Sequence, residues 1–172
     1  ALDANTTASN NVAVGRQSML LNTTGTQNTA VGSLSLDANT TGLANVAVGY
    51  TALGANTTGN YNVAVGGACL QENTTASDNT GMGYGALNQN TTGGSNTGIG
   101  RLSMLNNQSG SNNTAVGRGS LQANTTGGFN VAIGYQALDA NTTASYNTAL
   151  GSEALGGNTT GSQNVAVLFE PL

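Results

Sequence analysis

The chain has no His, no Trp and no Lys, one Cys and one Pro, and only 6% of its 172 residues are charged, against roughly 25% in an ordinary soluble domain. Each shortage excludes something. Without His, and with seven Asp or Glu scattered along the chain, there is little material for acid–base catalysis, a charge relay or a zinc site. Three Arg on a chain of net charge −4 cannot neutralise a nucleic-acid backbone. A single Cys makes no disulfide framework, and no apolar run approaches the roughly 20 residues that span a bilayer. The expectation is a non-enzyme with no catalytic residue, metal or cofactor, and with neither nucleic acid nor membrane insertion among its partners.

What is present is periodic. The Asn that opens an Asn-Thr-Thr triplet (Asn-Gln-Ser at Asn107) falls at Asn5, Asn22 and every seventeenth residue to Asn158, and a second Asn column runs from Asn11 to Asn164. Ten repeats fill residues 1–170, and Pro171 and Leu172 begin an eleventh in register. With positions numbered 1 to 17 from Ala1, the consensus is Ala/Ser, Leu/Met, two variable residues, Asn-Thr-Thr-Gly/Ala, two variable residues, Asn-Val/Thr-Ala/Gly-Val/Ile-Gly, two variable residues. A 17-residue unit is too short for a helix pair, which needs about 33 residues or more. A short apolar segment, Asn11–Gly15, and a second around Ala1 and Leu2, joined by Asn, Thr and Gly, predict two short strands and two turns per unit. One unit cannot bury its apolar face alone, whereas stacked identical coils turn each column into a ladder. At the parallel strand spacing of about 4.8 Å the stack is roughly 43 Å long. The predicted fold is all-β: a parallel β-roll or β-solenoid of ten 17-residue coils over residues 1–167, with 168–172 as a C-terminal cap or a junction to a following domain.

The columns assign roles. Position 14 (Val14, Val31, Met82, Ile99, Leu150 and their counterparts) and position 2 (Leu2, Met19, Leu36 and onward) contain no polar residue, so both are expected in the core. Position 12 alternates Val and Thr, β-branched strand formers whose Thr share argues partial burial. Position 13 accepts only Ala or Gly: Ala13, Ala30, Ala47, Ala64, Gly81, Gly98, Ala115, Ala132, Ala149 and Ala166. Another backbone passes close there, either within the coil or, the favoured reading, in a neighbouring chain. Position 15 is Gly in nine of ten repeats, a corner needing positive φ or lacking room for a Cβ. The Asn columns are expected in turns, where Asn tolerates the left-handed conformation and bonds to local backbone, with amides stacking along the ladder. Each coil buries about three aliphatic side chains, a thin core against the entropy of ordering 17 residues, which favours further burial between chains.

Ten pentapeptides in register, among them Asn11–Gly15 (NVAVG), Asn28–Gly32 (NTAVG), Asn45–Gly49 (NVAVG) and Asn130–Gly134 (NVAIG), each followed two residues later by Ala or Ser (once Cys) and then Leu or Met except after the last repeat, resemble the head repeats of trimeric autotransporter adhesins, which also occur in bacteriophage tail fibres and other bacterial surface fibres. The resemblance spans essentially the whole chain. It implies a left-handed roll with three chains side by side in a homotrimer. It also implies end-to-end neighbouring fibre domains, an extracellular location on a bacterial surface or virion tail fibre, and a role in adhesion to a host-surface protein or glycan. The repeat is longer than that of the adhesin heads, with the extra length in the Asn-Thr-Thr-Gly turn, and it carries no coiled-coil stalk or membrane anchor. The chain is therefore expected to be a segment, or to be anchored by other means.

All three cations share position 16, as Arg16, Arg101 and Arg118, with Tyr50, Tyr84, Tyr135 and Phe169 in the same column; the remaining aromatics, Tyr61, Phe129 and Tyr146, all fall at position 10. Every aromatic and every cation thus flanks the strand at one of its two corners. Such columns either shield coil edges or form a contact stripe, Tyr and Arg being enriched at binding hot spots. Acids at position 3 (Asp3, Asp37, Asp139) are interrupted by Leu20, Gly54 and Gln71, which argues against a calcium roll. Cys69 replaces Ala or Ser at position 1 and reads as a small buried side chain. Leu168 replaces the recurrent Gly and is followed by Phe169, Glu170 and Pro171, which would cover the final edge. Ala1 opens in mid-register, so further repeats or another subunit are expected to continue that face. The competing function is a monomeric ice-binding solenoid using the Thr of positions 6 and 7. Ice-binding faces need Thr at alternate positions on one face, and an adjacent pair followed by Gly or Ala fits a turn better.

Overall fold

The computed structural model describes residues 1–168. Ten three-residue strands recur at 17-residue intervals: β1 (Val12–Val14), β2 (Thr29–Val31), β3 (Val46–Val48), β4 (Val63–Val65), β5 (Thr80–Met82), β6 (Thr97–Ile99), β7 (Thr114–Val116), β8 (Val131–Ile133), β9 (Thr148–Leu150) and β10 (Val165–Val167). They form one parallel sheet in sequence order. The register matches repeat position to repeat position, as in Val46↔Val63, Ala47↔Ala64 and Val48↔Val65. Each coil is therefore one step of a parallel β-solenoid, and there is no helix among the described residues. The chain's cap or junction at 168–172 lies outside the described residues except for Leu168, whose N–H continues the ladder onto the Leu150 carbonyl at 2.8 Å.

Backbone pairing between coils does not stop at the strands. Leu36 donates to the Ala52 carbonyl at 3.0 Å, Thr40 to Thr57 at 3.0 Å and Leu34 to Arg16 at 2.9 Å. The segment around Ala1 and Leu2, expected as a second strand, is a turn instead: the Leu or Met of position 2 holds a left-handed φ of 47–57° in all ten coils. The same conformation recurs at positions 10 and 17, and every non-Gly residue with positive φ belongs to one of these three columns. A left-handed bulky residue costs about 1–2 kcal/mol and persists because the ladder above and below fixes it. The Asn columns do not carry that conformation, contrary to expectation; it belongs to other residues, at position 10 the residue just before the second Asn column. The corner Gly of position 15 does need it. Gly49 has φ 139°, and a Cβ there would meet the Gly66 carbonyl oxygen at 2.5 Å.

The interior has two parts. One is apolar: the Leu or Met of position 2 and the Ala, Ser or Cys of position 1 pack against the Ala or Gly of position 13. The other is amide: both Asn columns are buried through the middle of the stack. Asn56 Nδ2 donates to Asn39 Oδ1 at 2.9 Å and to the Gly59 carbonyl at 3.1 Å. Asn45 Nδ2 reaches the next coil's Gly59 carbonyl at 2.8 Å, while Asn45 N–H donates to Asn28 Oδ1 at 2.9 Å. No buried side-chain nitrogen or oxygen among the described residues lacks a partner, which is what a polar interior requires.

Two expectations are corrected here, and one fact corrects both. Position 13 points inward: Ala30, Ala47, Ala64, Gly81, Gly98, Ala115, Ala132 and Ala149 are buried inside the coil, and Ala13 and Ala166 of the end coils are half-buried in the same column. They are not a contact with a neighbouring chain. The close neighbour is the opposite wall of the same coil: a Cβ on Gly98 would lie 3.1 Å from Leu87 Cγ and 3.1 Å from Ser103 Oγ. Since side chains alternate across a strand, positions 12 and 14 then face out. Position 14 is accordingly not core; Met82 remains 46% and Leu150 45% exposed.

Candidate functional site: the outer face of the sheet and its two corners

The outer face is built from the strand itself. Ten in-register copies of positions 12 and 14 present Val or Thr in one row and Val, Ile, Leu or Met in the other. Neither row holds a charged residue. Inward Ala or Gly lets the strand pack closely onto the opposite wall, and its larger residues stand on the outer face. The strip is bounded on one side by position 10 and on the other, beyond the corner Gly, by position 16.

Both bounding columns are exposed. At position 10, Tyr61 stands alone, while Phe129 and Tyr146 on consecutive coils stack with centroids 5.1 Å apart and planes within 3°. At position 16, Tyr84, Arg101, Arg118 and Tyr135 occupy four consecutive coils, and the Arg118 guanidinium lies over the Tyr135 ring at 5.6 Å. Tyr50 is separated from this group by Gly67, and Arg16 lies in the first coil; Phe169 lies outside the described residues. The one ion pair among the described residues joins the Ala1 amine to Asp3.

The remaining chemistry is sparse. Burial pushes the Cys69 thiol up to about 12, so it stays protonated and weakly nucleophilic at neutral pH. Partial burial raises the Asp37 carboxyl above the ordinary carboxylate range, against opposing backbone hydrogen bonds. Among the described residues no three His, Cys, Asp or Glu side chains converge on a point, and no helix is long and apolar enough to cross a membrane. Between the end coils the Thr hydroxyls of position 6 are engaged, as in Thr40 Oγ1 to the Thr57 carbonyl at 3.1 Å, so there the position-7 Thr is the one that projects freely. A shallow open groove of about 420 Å³ lined by Glu72, Asn88, Gln89, Thr91 and Gln108 was not foreseen from the repeat. Its signal is the run of amide side chains at positions 3 and 4 beside the coil where Asn-Thr-Thr becomes Asn107-Gln108-Ser109.

No protein-family model, curated protein or solved structure matches the chain.

Proposed function

We propose that the chain is a structural and adhesive segment of a homotrimeric surface or tail fibre. In this reading three left-handed rolls stand side by side and present a receptor-binding surface to a host protein or glycan outside the cell. It rests on the resemblance of the ten pentapeptides, and one observation carries it: the uncharged strip, aliphatic but for the Thr of position 12, that runs the length of the sheet and faces outward. Scattered exposed apolar residues need no explanation, but a contiguous strip of them marks an interaction surface. Three copies of the strip gathered about a common axis cover one another, and the apolar surface they bury adds to the thin interior core. Positions 12 and 14, not position 13, are then where copies meet.

Sedimentation tests this. The wild type is expected near three times 16.9 kDa. Val48→Asp combined with Ile133→Asp places charges on that strip alone and is expected to give a monomer that keeps its β circular dichroism. A wild-type monomer at tens of micromolar (roughly the range in which weak interfaces assemble) would overturn the reading, and thermal hysteresis in that monomer would turn it toward ice binding.

A further inference from the structure

Two of the chain's three cations are immediate neighbours. Arg101 and Arg118 follow strands paired in register, Ile99↔Val116, so their Cα atoms stand about one β spacing, 4.8 Å, apart. Both are exposed, and no carboxylate among the described residues pairs with either. Like charges facing one another across a ladder repel. Seven acids were at hand to relieve this, yet they lie at positions 3, 4, 10 and 17 and never beside the pair. On either side the column carries Tyr84 and Tyr135, 60% and 42% exposed. Tyr135 holds the Arg118 guanidinium by its face, which orients the group and leaves its N–H edge open. Four consecutive coils therefore display ring, cation, cation, ring along the stack axis.

We propose that this column is a site for an anionic polysaccharide lying along the stack. Its sulfate or carboxylate groups bridge Arg101 and Arg118 through charge-assisted hydrogen bonds, and its sugar rings rest on Tyr84 and Tyr135. This deepens, and rests on, the reading of the coil as an adhesive segment. An acidic peptide fits less well. An extended peptide gains affinity by adding to a free sheet edge, and β5 to β8 are hydrogen-bonded on both sides.

The test uses the full chain and defined probes: a dextran sulfate oligosaccharide, an oligogalacturonate, neutral dextran and a polyglutamate peptide of matched charge. One or both anionic saccharides are expected to bind with an affinity that weakens as salt rises, and neutral dextran is not. Arg101→Gln with Arg118→Gln should lower that affinity at least about ten-fold, the factor that 1.4 kcal/mol represents. Tyr84→Ala with Tyr135→Ala should lower it several-fold, and Arg16→Gln, isolated in its column, less than about two-fold. All these side chains are exposed, and unchanged melting verifies that each variant folds. Unaltered binding in the double Arg variant overturns the proposal. So does the absence of saccharide binding by the wild type, and so does polyglutamate binding as tightly with no loss in the Tyr variant. Loss of self-association in the double Arg variant also overturns it, because the pair then serves contacts between copies. A wild-type monomer that still binds through the pair would remove the trimer and leave this site standing.

Discussion

The two faces of the ten-stranded sheet invert the usual allocation of side chains. Toward the interior the strands present one column of Ala and Gly, fully enclosed between the end coils; toward the outside they present two columns of Val, Thr, Ile, Leu and Met, partly uncovered. In a one-sided sheet the larger apolar residues ordinarily face in. Here the coil is too narrow for that. The Leu of position 2 reaches across from the opposite wall and fills the space behind the strand, leaving room for a methyl group or less. The size of a residue in this fold therefore reports the clearance behind it, and the larger residues are left for whatever covers the outer face.

The largest expected effect breaks that contrast directly. Ala47→Leu adds three carbons at a fully buried position whose counterparts Gly81 and Gly98 face the position-2 Leu of their own coil, here Leu36, itself fully buried. It should destabilise the fold by about 3 kcal/mol, at the upper end of overpacking, or prevent folding. Val48→Leu, the next residue but on the outer face, should stay within about 0.5 kcal/mol. Urea unfolding of the two variants measures the difference. Equal destabilisation would mean that position 13 is no more confined than position 14.

Much of this was legible in advance. The 17-residue period, the one-coil-per-step register, the Leu column in the core, the corner Gly and the bonded Asn ladders all follow from which residue types each column tolerates. The inside-to-outside direction of the strand was misread because uniform hydrophobicity at position 14 looks the same whether it faces the coil's own core or an external surface. The clue was present at position 12. Its Thr residues argued partial exposure, and positions 12 and 14 share a face by the alternation of a strand. The second apolar segment was misread for another reason: Leu has little intrinsic tolerance for left-handed φ, and only the ladder on both sides imposes it. At the corners, the columns of Arg and Tyr were visible, but the Phe129–Tyr146 stack and the seating of Arg118 on Tyr135 depend on side-chain torsions that no repeat pattern specifies.

A second contrast lies within the interior, between its amide half and its apolar half. Asn56→Ala removes the donor to Asn39 Oδ1 and the acceptor for Asn73 Nδ2, at 2.9 Å each. Orphaning these buried groups should destabilise by about 2–3 kcal/mol, whereas Thr58→Ala, exposed on the same turn, should stay within about 0.5 kcal/mol. A mild Asn56→Ala would show that neighbouring amides re-pair across the gap, making the ladder redundant in a way that the Leu column is not.

The smallest effect bears on clearance most closely. Cys69 is bulkier than the Ala or Ser that occupies position 1 of the other nine coils, and the position-13 residue opposite it is Gly81, where a Cβ would sit 2.5 Å from the Cys69 sulfur. The Gly81 backbone is not left-handed, and eight of the other nine coils carry Ala there, so only the sulfur stands in the way. Gly81→Ala alone should therefore destabilise by about 1–2 kcal/mol through overpacking. With Cys69→Ala in the same chain it should become neutral or slightly stabilising, since Ala also restricts the unfolded chain more than Gly does. The coupling energy of the cycle isolates the contact. Additive effects would mean that the Gly at this coil has a cause other than the sulfur facing it, and that clearance does not set the inner column.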